Sequence, residues 1–241
     1  MKTKLALITS LIFGLGLLTA AHAQPQGPPG PRFNGALSKL FGDNPDFSAD
    51  IDIHMNRSNG DEITMPGKMA HSADKFRMDM DMSNVKGLRM PPQAAAQMKQ
   101  MGMDSMTTIT RVDQKTTYII YPSMKAYVAN TIPDSDAKGS SDYKVETTKV
   151  GNETLDGHDC VKNNVVMTGS DGVAHKATVW NASDLKQFPV KIEMSTENGD
   201  TMIMHFASIK LDKPDSSLFE PPTDYTKYDN MMSMMMSRYK H

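Results

Sequence analysis

Apolar and polar residues alternate with a period of two along most of this chain. Phe47, Ala49, Ile51, Ile53 and Met55 share one parity and Ser48, Asp50, Asp52 and His54 the other, which predicts a strand with one buried face. Phe76, Met78, Met80 and Met82 alternate in the same way with Arg77, Asp79 and Asp81, as do Val190, Ile192 and Met194 with Lys191 and Glu193. Between Val173 and Pro222 three such runs, 174–180, 188–194 and 201–211, are separated by Asn181–Gln187 and Glu197–Asp200, a spacing that predicts antiparallel hairpins. The third run is apolar on both sides: Met202, Met204 and Phe206 on one, Ile203, Ala207, Ile209 and Leu211 on the other, with His205 the exception. A strand of that kind asks for helices or a filled cavity over its second face.

Asn59-Gly60 turns the chain into a return strand over 63–73, in which Pro66 must occupy an edge or a bulge. Runs at 107–112 and 116–121 form a hairpin through 113–115, another follows Pro122 at 124–129, and 143–150, 153–155 and 158–168 complete about ten strands. Asp134–Asp142 reads as a loop. The clearest helix is 93–103, with Pro92 at its entry, three alanines, no β-branched residue and Gly102 at its exit. Its stripe of Ala94, Met98 and Met101 predicts that it lies on the sheet. Shorter helices are predicted at 35–41 and 213–219, and the tail from Tyr228 is expected to be frayed or helical.

The N-terminus changes the picture of where the chain works. Lys2 and Lys4 precede an apolar run from Leu5 to Leu18 and the small-residue site Ala21-His-Ala23, the pattern of a secretory signal peptide cleaved after Ala23. No later stretch has the roughly 20 apolar residues that a membrane span needs. The expected organisation is a signal peptide (1–23), a Pro/Gly-rich tether (24–32), a single domain (33–228) and a methionine-rich tail (229–241), in the periplasm and not integral to a membrane. With 26 basic and 28 acidic residues, loss of the two leader lysines leaves a net charge near −4, which gives no reason to expect nucleic acid as a partner. The lone Cys160 excludes an internal disulfide. Methionine is the anomaly: 22 residues, against 8 Phe and 7 Tyr, make much of the apolar surface flexible thioether.

Several stretches carry a family resemblance: Val150-Gly-Asn-Glu-Thr-Leu-Asp-Gly157 leading to Cys160, Lys176-Ala-Thr-Val-Trp180, Phe188-Pro-Val-Lys-Ile192, and Pro214-Asp-Ser-Ser-Leu-Phe219 with Pro221. Arg111-Val-Asp113, Tyr118 and Pro122-Ser-Met-Lys-Ala-Tyr127 match as well. Over about Phe47 to Tyr228 the chain resembles a secreted bacterial family of uncharacterised function with a fold like that of the periplasmic lipoprotein carriers (LolA-like). The resemblance implies a mainly β, α+β fold: a strongly curved antiparallel half-barrel wrapped around one or more short helices, with an apolar cavity that in the carriers accepts acyl chains. This chain departs from it in having methionine where such cavities more often show Leu, Ile or Val.

The methionines at 78, 80, 82, 98, 101, 103 and 106 have three readings: core filler, wall of a ligand cavity, or a soft-metal site, since thioethers select Cu(I). The expected cavity wall is Phe76, Met78, Met80, Met82, Met98, Met101, Met202, Met204 and Phe206. His158 and Cys160 share a strand face without an evident third ligand, and Arg77, Asp79 and Asp81 read as a solvated face. No nucleophile elbow, phosphate loop, HExxH or CxxC is present, so neither an enzyme nor a cofactor is expected. The expected function is a periplasmic carrier or binding protein for a lipid-like or acyl ligand. Two alternatives are a structural or interaction protein of the envelope, with envelope proteins as partners and a core filled by its own methionines, and a methionine-rich Cu(I)-binding protein. For the last, no metal site is assigned beyond the candidates Met231, Met232, Met234, Met235, Met236 and His241, and a tail that plugs the barrel mouth is the competing use of the same residues.

Overall fold

The computed structural model describes residues 37–87, 91–134, 143–170, 172–195 and 199–237. The signal peptide, the tether, the start of the first short helix, most of the 134–142 loop and His241 lie outside them. Among the described residues, no helix is long and apolar enough to cross a membrane.

Twelve strands form one sheet in the order β12-β6-β5-β4-β3-β2-β1-β11-β10-β9-β8-β7. The first meander is β1 (Asp46–Asn56), β2 (Glu62–Ser72), β3 (Lys75–Asp81), β4 (Ser105–Arg111), β5 (Thr116–Tyr121) and β6 (Ala126–Thr131). The second is β7 (Lys144–Leu155), β8 (His158–Thr168), β9 (Ala174–Ala182), β10 (Phe188–Ser195) and β11 (Thr201–Lys210). They join in the middle, where β1 pairs antiparallel with β11 from Ser48↔Lys210 to Asn56↔Thr201. The short β12 (Thr226–Tyr228) runs parallel to β6 at one edge. Two helices, α1 (Pro92–Gln100) and α2 (Met231–Ser237), accompany a helical turn over 37–40.

Opposed residues of antiparallel neighbours point to the same side, so the register fixes two faces. The front face carries Phe47, Ala49, Ile51, Ile53 and Met55 of β1 together with their partners His71, Met69, Gly67, Met65 and Ile63 on β2. It continues through Phe76, Met78 and Met80 on β3 and Met202, Met204 and Phe206 on β11. Leu37, Leu40 and Phe41 close over one end of it. Phe41 is 1% exposed, and its ring lies 4.4 Å from that of Phe47, 5.5 Å from Phe188, 5.7 Å from Phe206 and 6.2 Å from His71, touching four adjacent strands at once.

The back face is closed over β2–β5 by the C-terminal segment. The 3-10 turn Ser216–Phe219, capped by the Asp215 carboxylate, seats Phe219 on Ala70, Ile109 and Ile120. Two arginines hold it there: Arg77 Nη1 donates to Leu218 O at 2.8 Å, and Arg111 donates to Phe219 O and to Glu220 while chelating Asp113 through Nε (2.8 Å) and Nη2 (2.7 Å). Arg77 also grips Asp79 with two bonds of 2.8 and 2.7 Å, and Thr107 donates to the same carboxylate. The Arg77/Asp79 pair is therefore half-buried, not a solvated face, because a segment some 140 residues away folds across it.

Two further corrections concern single strands. Ser208 adopts φ +51 and the β1/β11 register shifts there, a bulge that brings Ile209 and Leu211 against the front-face core, with Ile209 also touching the Trp180 cluster, and leaves Ala207 exposed. The two-sided apolar pattern of this strand thus marks a change of parity, and among the described residues no helix covers its second face. Met82 leaves the β3 stripe for the 3-10 turn Met82–Asn84, capped by Asp81. Pro66 lies at neither an edge nor a bulge, since β2 is an interior strand in unbroken register with β1, but in a local gap: the β2/β3 ladder ends at Gly67↔Met80 and resumes only with the Thr64↔Lys86 bridge, so its missing N–H goes unneeded there.

Candidate functional site

The front face has a closed end and an open end, and the difference follows from what lies over each. In the cluster that Leu37, Leu40 and Phe41 join, the side chains Phe76, Met78, Met204 and Phe206 are 6, 3, 1 and 3% exposed. At the opposite end of the same strands Met55, Met65, Met80 and Met202 are only half-buried, packed against the core from outside. The register places them side by side: Met194↔Met202↔Met55↔Ile63 cross four strands in one row, and Ile192↔Met204↔Ile53↔Met65 form the next. The predicted cavity wall is therefore split: Phe76, Met78, Met204 and Phe206 are closed core, Met80 and Met202 stand at the open end, and Met82, Met98 and Met101 belong to the 3-10 turn and to α1 with its C-cap, not to this wall.

Gly67 sits between Ile51 and Met80 in the following row. A Cβ there would come within 2.4 Å of the Asp79 carbonyl oxygen, so β2 and β3 approach as closely as they do only because this residue has no side chain. Pro45 O receives the Nδ1 hydrogen of His71 at 2.7 Å at the closed end. Burial among the aromatic rings holds the His71 imidazole below its ordinary pKa, against the raising effect of that bond and of Asp46 and Asp74.

Helix α1 does not lie on the sheet. Its C-terminus is a Schellman motif, with Met103 N–H donating to Met98 O and Gly102 N–H to Lys99 O, and Gly102 at φ +71. Gly102 is buried against Ser123 and Met124, which fixes the exit of the helix. The predicted stripe of Ala94, Met98 and Met101 reaches only half-burial, and no side chain over 93–100 is buried. One alanine and two methionines over residues 93–101, a segment otherwise of alanine, glutamine and lysine, make too narrow an apolar stripe to pull the helix down.

The tail is ordered as α2. Asn230 Oδ1 accepts from Ser233 N–H at 2.8 Å while Ser233 Oγ accepts from Asn230 N–H at 3.3 Å, a reciprocal cap. Met234, fully buried, packs on Tyr121, Ala126 and Val128 of the front face, beside half-buried Met103, Met106 and Met124. Met231, Met232 and Met236 remain exposed and Met235 half-buried.

The remaining candidates are occupied structurally. Cys160 is 2% exposed among Trp180, Ala182 and Val190, and burial pushes its thiol pKa up. His158 Nδ1 is 2.7 Å from Asp184 Oδ2, which holds the Asp184 carboxyl below the usual carboxylate range. Among the described residues no three His, Cys, Asp or Glu side chains gather as a metal site would require. Sequence pattern alone carries no sign of the setting of Trp180, which lies between two ammonium groups, Lys162 Nζ at 4.6 Å and Lys191 Nζ at 4.2 Å, with its Nε1–H donated to Glu153. A cleft of about 330 Å³ opens beside the helical turn, floored by Leu40, Val145, Val165 and Val179 and rimmed by Lys39 and Lys186.

No curated protein matches the sequence. Among solved structures, LprF from Mycobacterium bovis is similar at TM-score 0.42 and 12% identity, over 83% of this chain and all of that one. Mycobacterium tuberculosis lipoprotein LppX gives 0.39 and 11% over 75% and 96%, and a LolA superfamily protein from Nitrosomonas europaea gives 0.38 and 12% over 77% and 94%. Those scores are too low to carry an argument about what the chain does. A family model matches residues 53–187, more than half of the sequence, and the chain belongs to that family, described as Domain of unknown function (DUF4412).

Proposed function

We propose that this protein is a non-enzymatic binding protein for a hydrophobic, acyl-chain-like ligand, held on the open methionine end of the front face in a sheet that curves around it as a half-barrel. The observation that carries the reading is the row Met202–Met55 with its neighbours Met65 and Met80: thioethers set side by side on a rigid sheet and left half-buried. Complete burial of a methionine is worth about 1.5–3 kcal/mol. At most about a third of each of the four is exposed, so covering them with an acyl chain returns at most about 2–4 kcal/mol of apolar burial before the cost of binding. Methionine suits such a surface because its unbranched side chain repacks around ligands of different shape. The leader sequence puts the mature protein in the periplasm.

The test is saturable binding of a fluorescent fatty acid to the mature protein, with Met80→Asp and Met202→Asp as variants. A charge at either position abolishes binding if the acyl chain lies there and leaves the fold intact, since both sites reach solvent. Unchanged affinity in both variants, or no saturable binding by the parent protein, refutes the reading. A second reading has support from Met234: a chain that docks its own methionine on Tyr121, Ala126 and Val128 partly covers its front face itself, as an envelope interaction protein with a self-filled core would. Deleting residues 230–241 separates the two, because a plug blocks the probe and its removal increases binding.

A further inference from the structure

Of the five methionines of helix α2 only Met234 is fully buried, and three of the other four are exposed. Met231, Met232 and Met236 are 42, 69 and 57% exposed and Met235 is half-buried. At 100° per residue, Met231, Met235, Met232 and Met236 fall within one arc of about 140° on the side away from Met234. They form two i,i+4 pairs, Met231/Met235 and Met232/Met236, whose Cβ atoms are about 5–6 Å apart. Four sulfurs on flexible arms at the corners of such a quadrilateral can converge above its centre. Same-face neighbours along one strand, such as Met78 and Met80, are by contrast about 7 Å apart and stand parallel.

The platform is held in place. Its first turn is capped reciprocally by Asn230 and Ser233, the Oγ of its last residue Ser237 donates to Met234 O at 2.8 Å and accepts from the Tyr228 hydroxyl at 3.0 Å, and Met234 pins it to the sheet. From this arrangement we propose that Met231, Met232, Met235 and Met236 form an all-thioether site for a soft monovalent cation, Cu(I) or Ag(I). Neutral thioethers offer nothing to hard ions such as Mg²⁺ or Ca²⁺ and bind soft ones selectively. The site uses the ion as it arrives, with no change of oxidation state, and is independent of the acyl-chain reading.

The test uses the mature protein and four-fold Met→Leu replacement at 231, 232, 235 and 236. Leucine and methionine have nearly equal helix propensity and apolar area, so the helix and its hydrophobicity remain while the sulfurs go. Cu(I) is titrated anaerobically against a chromophoric Cu(I) chelator, and Ag(I) is added in a parallel series followed by native mass spectrometry. The proposal predicts that the parent protein withdraws Cu(I) from the chelator and retains Ag(I), that the leucine variant loses both, and that Met234→Leu keeps both. Equal retention by parent and leucine variant, or no retention by the parent, overturns it. Phosphatidylcholine vesicles supply a further arm: if both proteins bind vesicles and neither holds the ion, the exposed face is a membrane contact and the metal site is refuted.

Discussion

Replacing Phe41 by alanine removes the side chain that closes one end of the front face. Phe41 is 1% exposed and its ring meets those of Phe47, Phe188, Phe206 and His71 at 4.4–6.2 Å, edge-on to Phe206 at 85° and stacked on Phe188 at 29°. Truncating a buried phenylalanine costs about 3–5 kcal/mol, part transfer and part cavity. Four ring neighbours on four different strands, each pair worth about 0.5–1.5 kcal/mol beyond burial, place this site toward the upper end. The strands cannot collapse into the space, because each is held by ladders on both sides. At about 2–4 °C per kcal/mol for a domain of this size, the melting temperature should drop by about 10–20 °C. Thermal unfolding followed by circular dichroism, with a urea series for the free energy, measures it. Phe41→Leu should recover most of the loss. A loss below about 1 kcal/mol for Phe41→Ala, under the range for buried aromatics, would refute the claim that this end is closed core.

Three further expectations follow from the same structure. Gly67→Ala should destabilise the protein by about 1–3 kcal/mol, the range for overpacking, because its Cβ would press to 2.4 Å on the Asp79 carbonyl oxygen; urea unfolding measures the loss. Arg111→Met should cost about 1–3 kcal/mol, less than a fully buried pair because Asp113 and Glu220 are partly exposed, and should open the 216–220 segment to limited proteolysis. His71, held by burial below the ordinary histidine pKa of 6.5, binds fewer protons folded than unfolded. Stability is therefore full above about pH 6.5 and falls as pH drops toward the folded pKa, a slope that denaturant unfolding at pH 7.5, 6.5 and 5.5 should show and that His71→Gln should flatten.

How much of this was legible in the sequence depends on whether the signal was local. Period-two runs located the strands, because which face a residue takes is decided within a few residues; the helix at 92–100 was readable for the same reason. Covering segments were not readable. Nothing near Arg77 and Asp79 announces that Leu218 and Phe219 will lie across them, and the bulge at Ser208 turns an alternation that looks two-sided into a change of parity. The methionine stripe was visible as a stripe but not as one half closed and one half open, since a flexible thioether serves either role and only the placement of Leu37, Leu40 and Phe41 decides between them. The Trp180 arrangement depends on the β8–β9–β10 register, in which Lys162 and Lys191 both stand opposite Trp180.

The methionines themselves offer the most direct test of the ligand site. With methyl-labelled methionine and assignment by single Met→Leu replacements, titration of a fatty acid into the mature protein can be followed at each ε-methyl group by NMR. The account predicts saturable shifts at Met55, Met65, Met80 and Met202 and none at Met69, Met78, Met167 and Met204, which are closed. Shifts confined to the closed set, or no shift at the open four at concentrations that saturate the fluorescent probe, would contradict it.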